Sequence, residues 1–253
     1  MHAIQVQNMS VEYRRTFKPP IRAVNQISFA VGPAEIVGFL GVNGAGKSST
    51  IKALMGFQPL TEGTACVFGE PVGSVDAKRQ IGFLPETATY SPYLTPFETM
   101  KLYATLHGIP ATQHNDTICE LLERVGMMEK RNTLNKGLSK GMLQRVGIAQ
   151  ALIGSPRLLI LDEVSSGLDP IGRRDLRRIL SDERERGATI FFSSHNLNEV
   201  ESLCDRVIIL HKGHIVDEQR IVDLIQHTGS IEEHFIRVIE NVETTNPQLG
   251  IAA

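Results

Sequence analysis

Eight residues constrain this chain more than any others. Gly41-Val42-Asn43-Gly44-Ala45-Gly46-Lys47-Ser48 read G-x-x-x-x-G-K-S. The pattern works only between a strand and a helix, and both are expected here. Glu35 to Leu40 is a short apolar run suited to a buried strand, and Ser49 to Met55 suits a helix that Gly56 stops. In that setting the glycines let backbone N–H groups turn inward, and the helix dipole adds positive potential, so the loop can cradle nucleotide phosphates. Lys47 is expected to reach the β- and γ-phosphates and Ser48 to hold Mg²⁺. Gly41, Asn43, Gly44, Gly46 and Ser49 complete the expected cradle. The alternative is a chance glycine-rich turn, and the flanking strand and helix argue against it.

The rest of the chain limits what such a loop can serve. At 253 residues there is room for one large domain, or one domain with an inserted lobe. A hydrophobic content of 42% with 21% charged residues suits a soluble chain with a packed core. A net charge of −2 gives no reason to expect nucleic acid as the main partner. Cys66, Cys119 and Cys204 lie far apart in no metal-ligand spacing and read as small apolar residues in a reducing compartment. The first residues, Met1 to Gln7, carry no secretory pattern. No apolar run approaches the roughly 20 residues of a membrane helix. The chain is expected to be soluble by itself and to reach a membrane only through a partner.

Ile4 to Tyr13 alternates as a strand, Arg14 to Pro20 reads as a loop with two prolines, and Val24 to Val31 resumes strand character. Gly63 to Gly69 and Ile81 to Leu84 read as further strands. Thr95-Pro96-Phe97-Glu98 is a capping box with proline at the first helical position, opening a helix to about Leu106. Ile118, Leu121, Leu122 and Val125 mark a second helix, and Ser139 caps a third. The stretch from about 87 to 155 is thus a helical lobe inserted between strands. Strands at Leu158–Asp162, Thr189–Ser193 and Arg206–Leu210 alternate with helices at Pro170–Arg186 and Leu197–Leu203. Alternation of this kind implies a mostly parallel sheet covered on both faces. Thr244 to Ala253 reads as disordered.

Leu158 to Leu161 lead into Asp162-Glu163. A carboxylate ending a buried strand can hold Mg²⁺ through its water shell, and a second one beside it can orient an attacking water. With the phosphate loop upstream, this is the second part of a nucleotide hydrolase. Leu138-Ser139-Lys140-Gly141-Met142-Leu143-Gln144-Arg145 then resembles the signature sequence of ATP-binding cassette (ABC) ATPases. Ser165 to Pro170 resembles that family's D-loop, His195 its switch histidine and Tyr13 its adenine-stacking aromatic. These elements stand in the family's order from about Ile4 to Val238.

The resemblance implies an α/β fold: a P-loop NTPase (RecA-like) core with an N-terminal antiparallel β subdomain and an inserted α-helical subdomain. Residues 1–230 would form the ATPase domain, and 231–253 a C-terminal helix and flexible tail. It also implies ATP and Mg²⁺ as ligands, with Ser48, Asp162 and Glu86 around the metal. Glu163 would act as the catalytic carboxylate, assisted by Lys47 and His195. Ser139 and Gly141 would bind the γ-phosphate of ATP held by a second ATPase subunit, giving a head-to-tail dimer, and Asp169 would cross that interface. Ser139 and Asp169 are equally readable as helix N-caps, Tyr13 as a core aromatic, and Phe17 as the rival stacking residue.

Two departures stand out. Lys140, Gly141 and Met142 occupy positions where the family has glycine, glycine and glutamine, and Glu86 stands where its Q-loop glutamine belongs. With Ile231-Glu232-Glu233-His234-Phe235, these resemble the bacterial export-type subgroup. The expectation is an ATPase subunit that powers a separate membrane-spanning permease from the cytoplasmic face of the membrane, bound peripherally. The rivals are a small-molecule kinase, which would lack the signature, and a soluble ABC ATPase with a regulatory role outside transport.

Overall fold

The structure, a computed structural model, describes residues 1–245. The chain opens with β1 (Ile4–Arg15), β2 (Lys18–Val31) and β3 (Ile36–Leu40), then α1 (Lys47–Leu54), β4 (Glu62–Val67), β5 (Glu70–Pro71) and α2 (Val75–Arg79). It continues with β6 (Ile81–Leu84), α3 (Pro96–Leu106), α4 (His114–Arg124), α5 (Lys140–Ala151), β7 (Leu158–Asp162) and α6 (Pro170–Glu185). It finishes with β8 (Thr189–Ser193), α7 (Leu197–Leu203), β9 (Arg206–His211), β10 (His214–Arg220), α8 (Ile221–Thr228) and α9 (Ile231–Thr245).

The chain divides into two compact units, Met1–Lys78 together with the chain from Phe191 onward, and Arg79–Ile190. In the first, an antiparallel sheet has the order β2-β1-β4-β5. Ile4 pairs with Val31 on one side and Val67 on the other. A second set of strands pairs β3 parallel to β9, from Val37 opposite Arg206 to Leu40 opposite Ile209, with β10 antiparallel on β9. All five residues of β3 are buried, as a strand covered on both faces requires. Phe29, Phe39 and Phe191 form the aromatic centre of this unit, with Phe39 and Phe191 rings 5.1 Å apart.

In the second unit β6 runs parallel to β7, with Ile81 opposite Leu158 and Leu84 opposite Leu161. Helices α3, α4 and α5 pack on one another around Met100, Ala104, Ile118, Leu122, Val146 and Ala149, and α5 also packs on β6. The capping box at Thr95 forms as read. Its hydroxyl accepts from the Glu98 N–H at 3.2 Å, and the Glu98 carboxylate accepts from the Thr95 N–H at 2.8 Å.

Two readings change. Arg14 to Pro20 is not a loop: β1 runs to Arg15, β2 starts at Lys18, and only Thr16 and Phe17 turn between them. Pro19 and Pro20 are tolerated because they fall at an irregularity of this edge strand, between Lys18 opposite Arg15 and Ile21 opposite Tyr13, and neither is in the paired register. Thr244 and Thr245 lie in the last turn of α9 rather than in a tail, and the remainder of that stretch, 246–253, falls outside the described residues.

Candidate functional site

The phosphate loop is built in the first unit. The chain leaves β3 at Gly41, turns where the Ala45 N–H donates to the Val42 carbonyl at 3.1 Å, and enters α1 through Gly46. Gly46 is left-handed, with φ 111°, and a Cβ there would collide with the Ala23 carbonyl oxygen. Only glycine meets both conditions. No side chain caps α1. A helix start without a side-chain cap suits an anion, and a phosphate fits it.

Lys47 is 5% exposed and folds back over the loop, its ammonium donating to the Gly41 carbonyl at 2.7 Å and the Val42 carbonyl at 3.3 Å. The positive charge is thus held at the cradle itself. From behind, the turn between β9 and β10 supports the loop. Gly213 N–H donates to the Ala45 carbonyl at 2.8 Å, and the Gly213 carbonyl accepts from Asn25 N–H at 2.8 Å. Tyr13, half-buried at the end of β1, donates its hydroxyl to Ser49 Oγ at 3.2 Å. The structure therefore brings Tyr13 to the first turn of α1, whereas Phe17 stands fully exposed at the hairpin tip. Asn43, Gly44 and Ser48 lie in or beside the loop, with Ser48 half-buried in the first helical turn. His195 follows β8 and is exposed, two residues before α7, which Asn196 caps.

The carboxylates lie in the second unit. Asp162 ends β7 and is 7% exposed. Glu163 follows immediately with a left-handed backbone, φ 51°. A side chain with a Cβ pays a steric cost there, of about 1–3 kcal/mol, unless its surroundings dictate the conformation. Ser139 caps α5, accepting from the Met142 N–H at 3.2 Å, and Asp169 caps α6, accepting from the Gly172 N–H at 2.7 Å. The N-cap readings of both residues are thus realised. Asp169 is also 3.9 Å from Arg145. Gly141 approaches Gly167 so closely that a Cβ would sit 2.8 Å from its carbonyl oxygen. Glu86 is exposed just beyond β6.

Sequence reasoning missed what holds these groups. The support of Ala45 by Gly213, the Lys140 ammonium donating to Ser166 Oγ and the Gln144 amide donating to the Val164 carbonyl join residues remote in the chain, and no local pattern marks them. Among the described residues no group of three or more His, Cys, Asp or Glu side chains could hold a metal ion by itself. Mg²⁺ commonly uses one or two protein oxygen ligands together with substrate phosphates and so does not need such a group. No helix among the described residues is long and apolar enough to cross a membrane.

Comparison with known proteins agrees with this geometry. The ABC transporter family model matches residues 24–166, more than half of the chain. An uncharacterized ABC transporter ATP-binding protein of Synechocystis is 36% identical over 91% of this chain and 66% of its own length. The bacitracin transport ATP-binding protein of Bacillus licheniformis is 41% identical over 78% of this chain and 64% of its own. The chain thus spans a little under two thirds of the length of these relatives. A solved structure of the ATP-binding subunit of an ABC transporter superposes with a TM-score of 0.84 at 28% identity, covering 94% of this chain and 99% of that one. The fold is accordingly the α/β P-loop NTPase fold of ABC cassettes, and the chain belongs to the ABC transporter family as an ATP-binding cassette.

Proposed function

We propose that this chain is the ATP-hydrolysing subunit of a transporter and drives substrate, outward, through a separate membrane-spanning permease. The observation that carries hydrolysis, beyond binding, is the pair Asp162-Glu163. One carboxylate is buried at a strand end, and the next is turned aside by a left-handed backbone. The uncapped start of α1 and the Lys47 ammonium hold the triphosphate and stabilise charge that develops on it. Tyr13 stacks on the adenine, Ser48 and Asp162 hold Mg²⁺ with Glu86 near its water shell, and His195 contacts the γ-phosphate. Bound Mg²⁺ supplies charge neutralisation on the phosphates. Glu163 accepts a proton from the attacking water.

Ser139 and Gly141 open a helix that faces the phosphate of a second subunit's ATP, so the working unit is a head-to-tail dimer with Asp169 at its interface. Export is supported by the likeness to a bacitracin transport protein and by the departures at Lys140, Met142 and Glu86. The site is tested with Glu163→Gln. ATP binding is retained while turnover falls by at least about 10²-fold. Turnover at the wild-type rate removes Glu163 from this role. Transport is tested by fractionation, in which the protein sediments with a membrane partner. Recovery with ribosomes instead sinks the transport reading.

A further inference from the structure

The left-handed backbone of Glu163 needs a cause. Such a conformation persists only where the surrounding structure dictates it. On its N-terminal side the buried strand β7 fixes Asp162. On its C-terminal side the chain makes two successive turns, Ser166 N–H to the Glu163 carbonyl at 3.0 Å and Leu168 N–H to the Ser165 carbonyl at 3.1 Å. Turns of this kind are local and do not by themselves choose a hand for Glu163. The anchor is a side chain from another element. Gln144, 1% exposed on α5, donates its amide to the Val164 carbonyl at 3.0 Å. Val164 is itself 2% exposed, so neither partner can turn to water.

The same helix touches the next residues of the loop. Lys140 donates to Ser166 Oγ at 3.3 Å, and its stem packs 3.2 Å from where a Gly167 side chain would begin. Arg145 ties the helix down in turn, donating to the Val125 carbonyl at 3.0 Å and pairing with Asp175 at 3.4 Å. Among these contacts the Gln144 bond is the buried one, and it fixes the Val164–Ser165 peptide, one residue beyond Glu163. Losing it leaves a buried carbonyl without a partner, which favours rotation of the Val164 peptide. Rotation of that Val164–Ser165 peptide changes the path of the turn that leaves Glu163, so the left-handed conformation at Glu163 loses its outer support and the carboxylate is redirected.

We propose that Gln144 is a positioning residue for hydrolysis: its buried amide holds the Val164 peptide and so keeps the Glu163 carboxylate aimed at the attacking water. The inference rests on the reading of Glu163 as the catalytic carboxylate. A misdirected base slows the chemical step and leaves nucleotide binding alone, because the Gln144 amide is bonded to the Val164 carbonyl and acts on binding groups only through Glu163's loop.

The test compares three full-length variants by steady-state ATP hydrolysis, fluorescent-nucleotide binding and thermal melting. Gln144→Met keeps the volume and removes the donor. Val146→Ala, at a fully buried position of the same helix, lowers stability while leaving the Gln144 amide in place. Glu163→Gln tests the underlying reading. The expected result is a kcat about tenfold lower for Gln144→Met, with KM and nucleotide affinity within about twofold of wild type. Val146→Ala keeps its kcat at temperatures below its melting point. Equal losses of kcat in Gln144→Met and Val146→Ala overturn the proposal, since stability alone then explains them. A wild-type kcat for Gln144→Met overturns it too. If Glu163→Gln hydrolyses ATP at the wild-type rate, the failure lies in the catalytic assignment instead.

Discussion

Lys47 and Glu163 show how differently two site residues can be encoded. Lys47 follows from spacing alone: a lysine directly after the last glycine of the loop must begin α1, and its side chain reaches back to Gly41 and Val42. Lys47→Ala removes the only charge that the loop itself supplies, so nucleotide affinity is expected to fall by at least about tenfold, or about 1.4 kcal/mol. Equilibrium titration with a fluorescent nucleotide reads this directly, and unchanged affinity would count against the cradle. Glu163 is legible as a carboxylate after a buried strand, but its left-handed backbone is not. Glutamate has no preference for that conformation, and the contact beside it comes from Gln144, nineteen positions earlier in the chain.

Elements with chemical end signals were legible, and elements defined by pairing were not. Thr95, Ser139 and Asp169 announce the starts of α3, α5 and α6 because a short polar side chain there satisfies a free N–H. By contrast β10, read as His214-Ile215-Val216-Asp217-Glu218-Gln219-Arg220, is largely polar and half exposed, and only its ladder with β9 makes it a strand. The start of β9 carries a further constraint. Arg206 binds Glu35 at 2.8 Å, and the Gly32 N–H donates to Glu35 at 2.7 Å. Burial works to raise the Glu35 carboxyl, but the Arg206 hydrogen bond, the Gly32 N–H and the Arg206 charge outweigh it and hold the group below its ordinary value.

A carboxyl depressed in the folded state stabilises the fold above its unfolded pKa of about 4.3, and that stabilisation is lost as pH falls through the folded value. Glu35→Gln is therefore expected to lower the melting temperature near neutral pH and to leave a shallower acid limb below pH of about 4.3. Parallel acid limbs for the two proteins would show that Glu35 does not carry the effect. At the other end of the chain, α9 is tied to its unit by His234 to Asp217 at 2.7 Å and by the Glu201 carboxylate accepting from Ile231 N–H at 3.2 Å.

On the scale of the whole chain, the residues proposed for the site are divided between the two units. The cradle with Tyr13 and His195 belongs to one unit, and Asp162, Glu163, Ser139 and Gly141 belong to the other. If Ser139 serves a second subunit's nucleotide, ATP should drive association once hydrolysis is blocked. Sedimentation of the Glu163→Gln variant is expected to show a dimer with ATP and a monomer without it. A nucleotide-bound monomer, in the presence of its membrane partner, would end the head-to-tail model. The sequence by itself determined the phosphate loop, the Asp162-Glu163 strand end, the helix caps and the family, because each depends on residues close together along the chain. Only the tertiary structure decided the hand of Glu163, the brace of Gly213 on Ala45 and the grip of Gln144 on Val164. The physical reason is that a buried hydrogen bond between remote segments forms when packing excludes water from both partners, and no local sequence pattern carries that information.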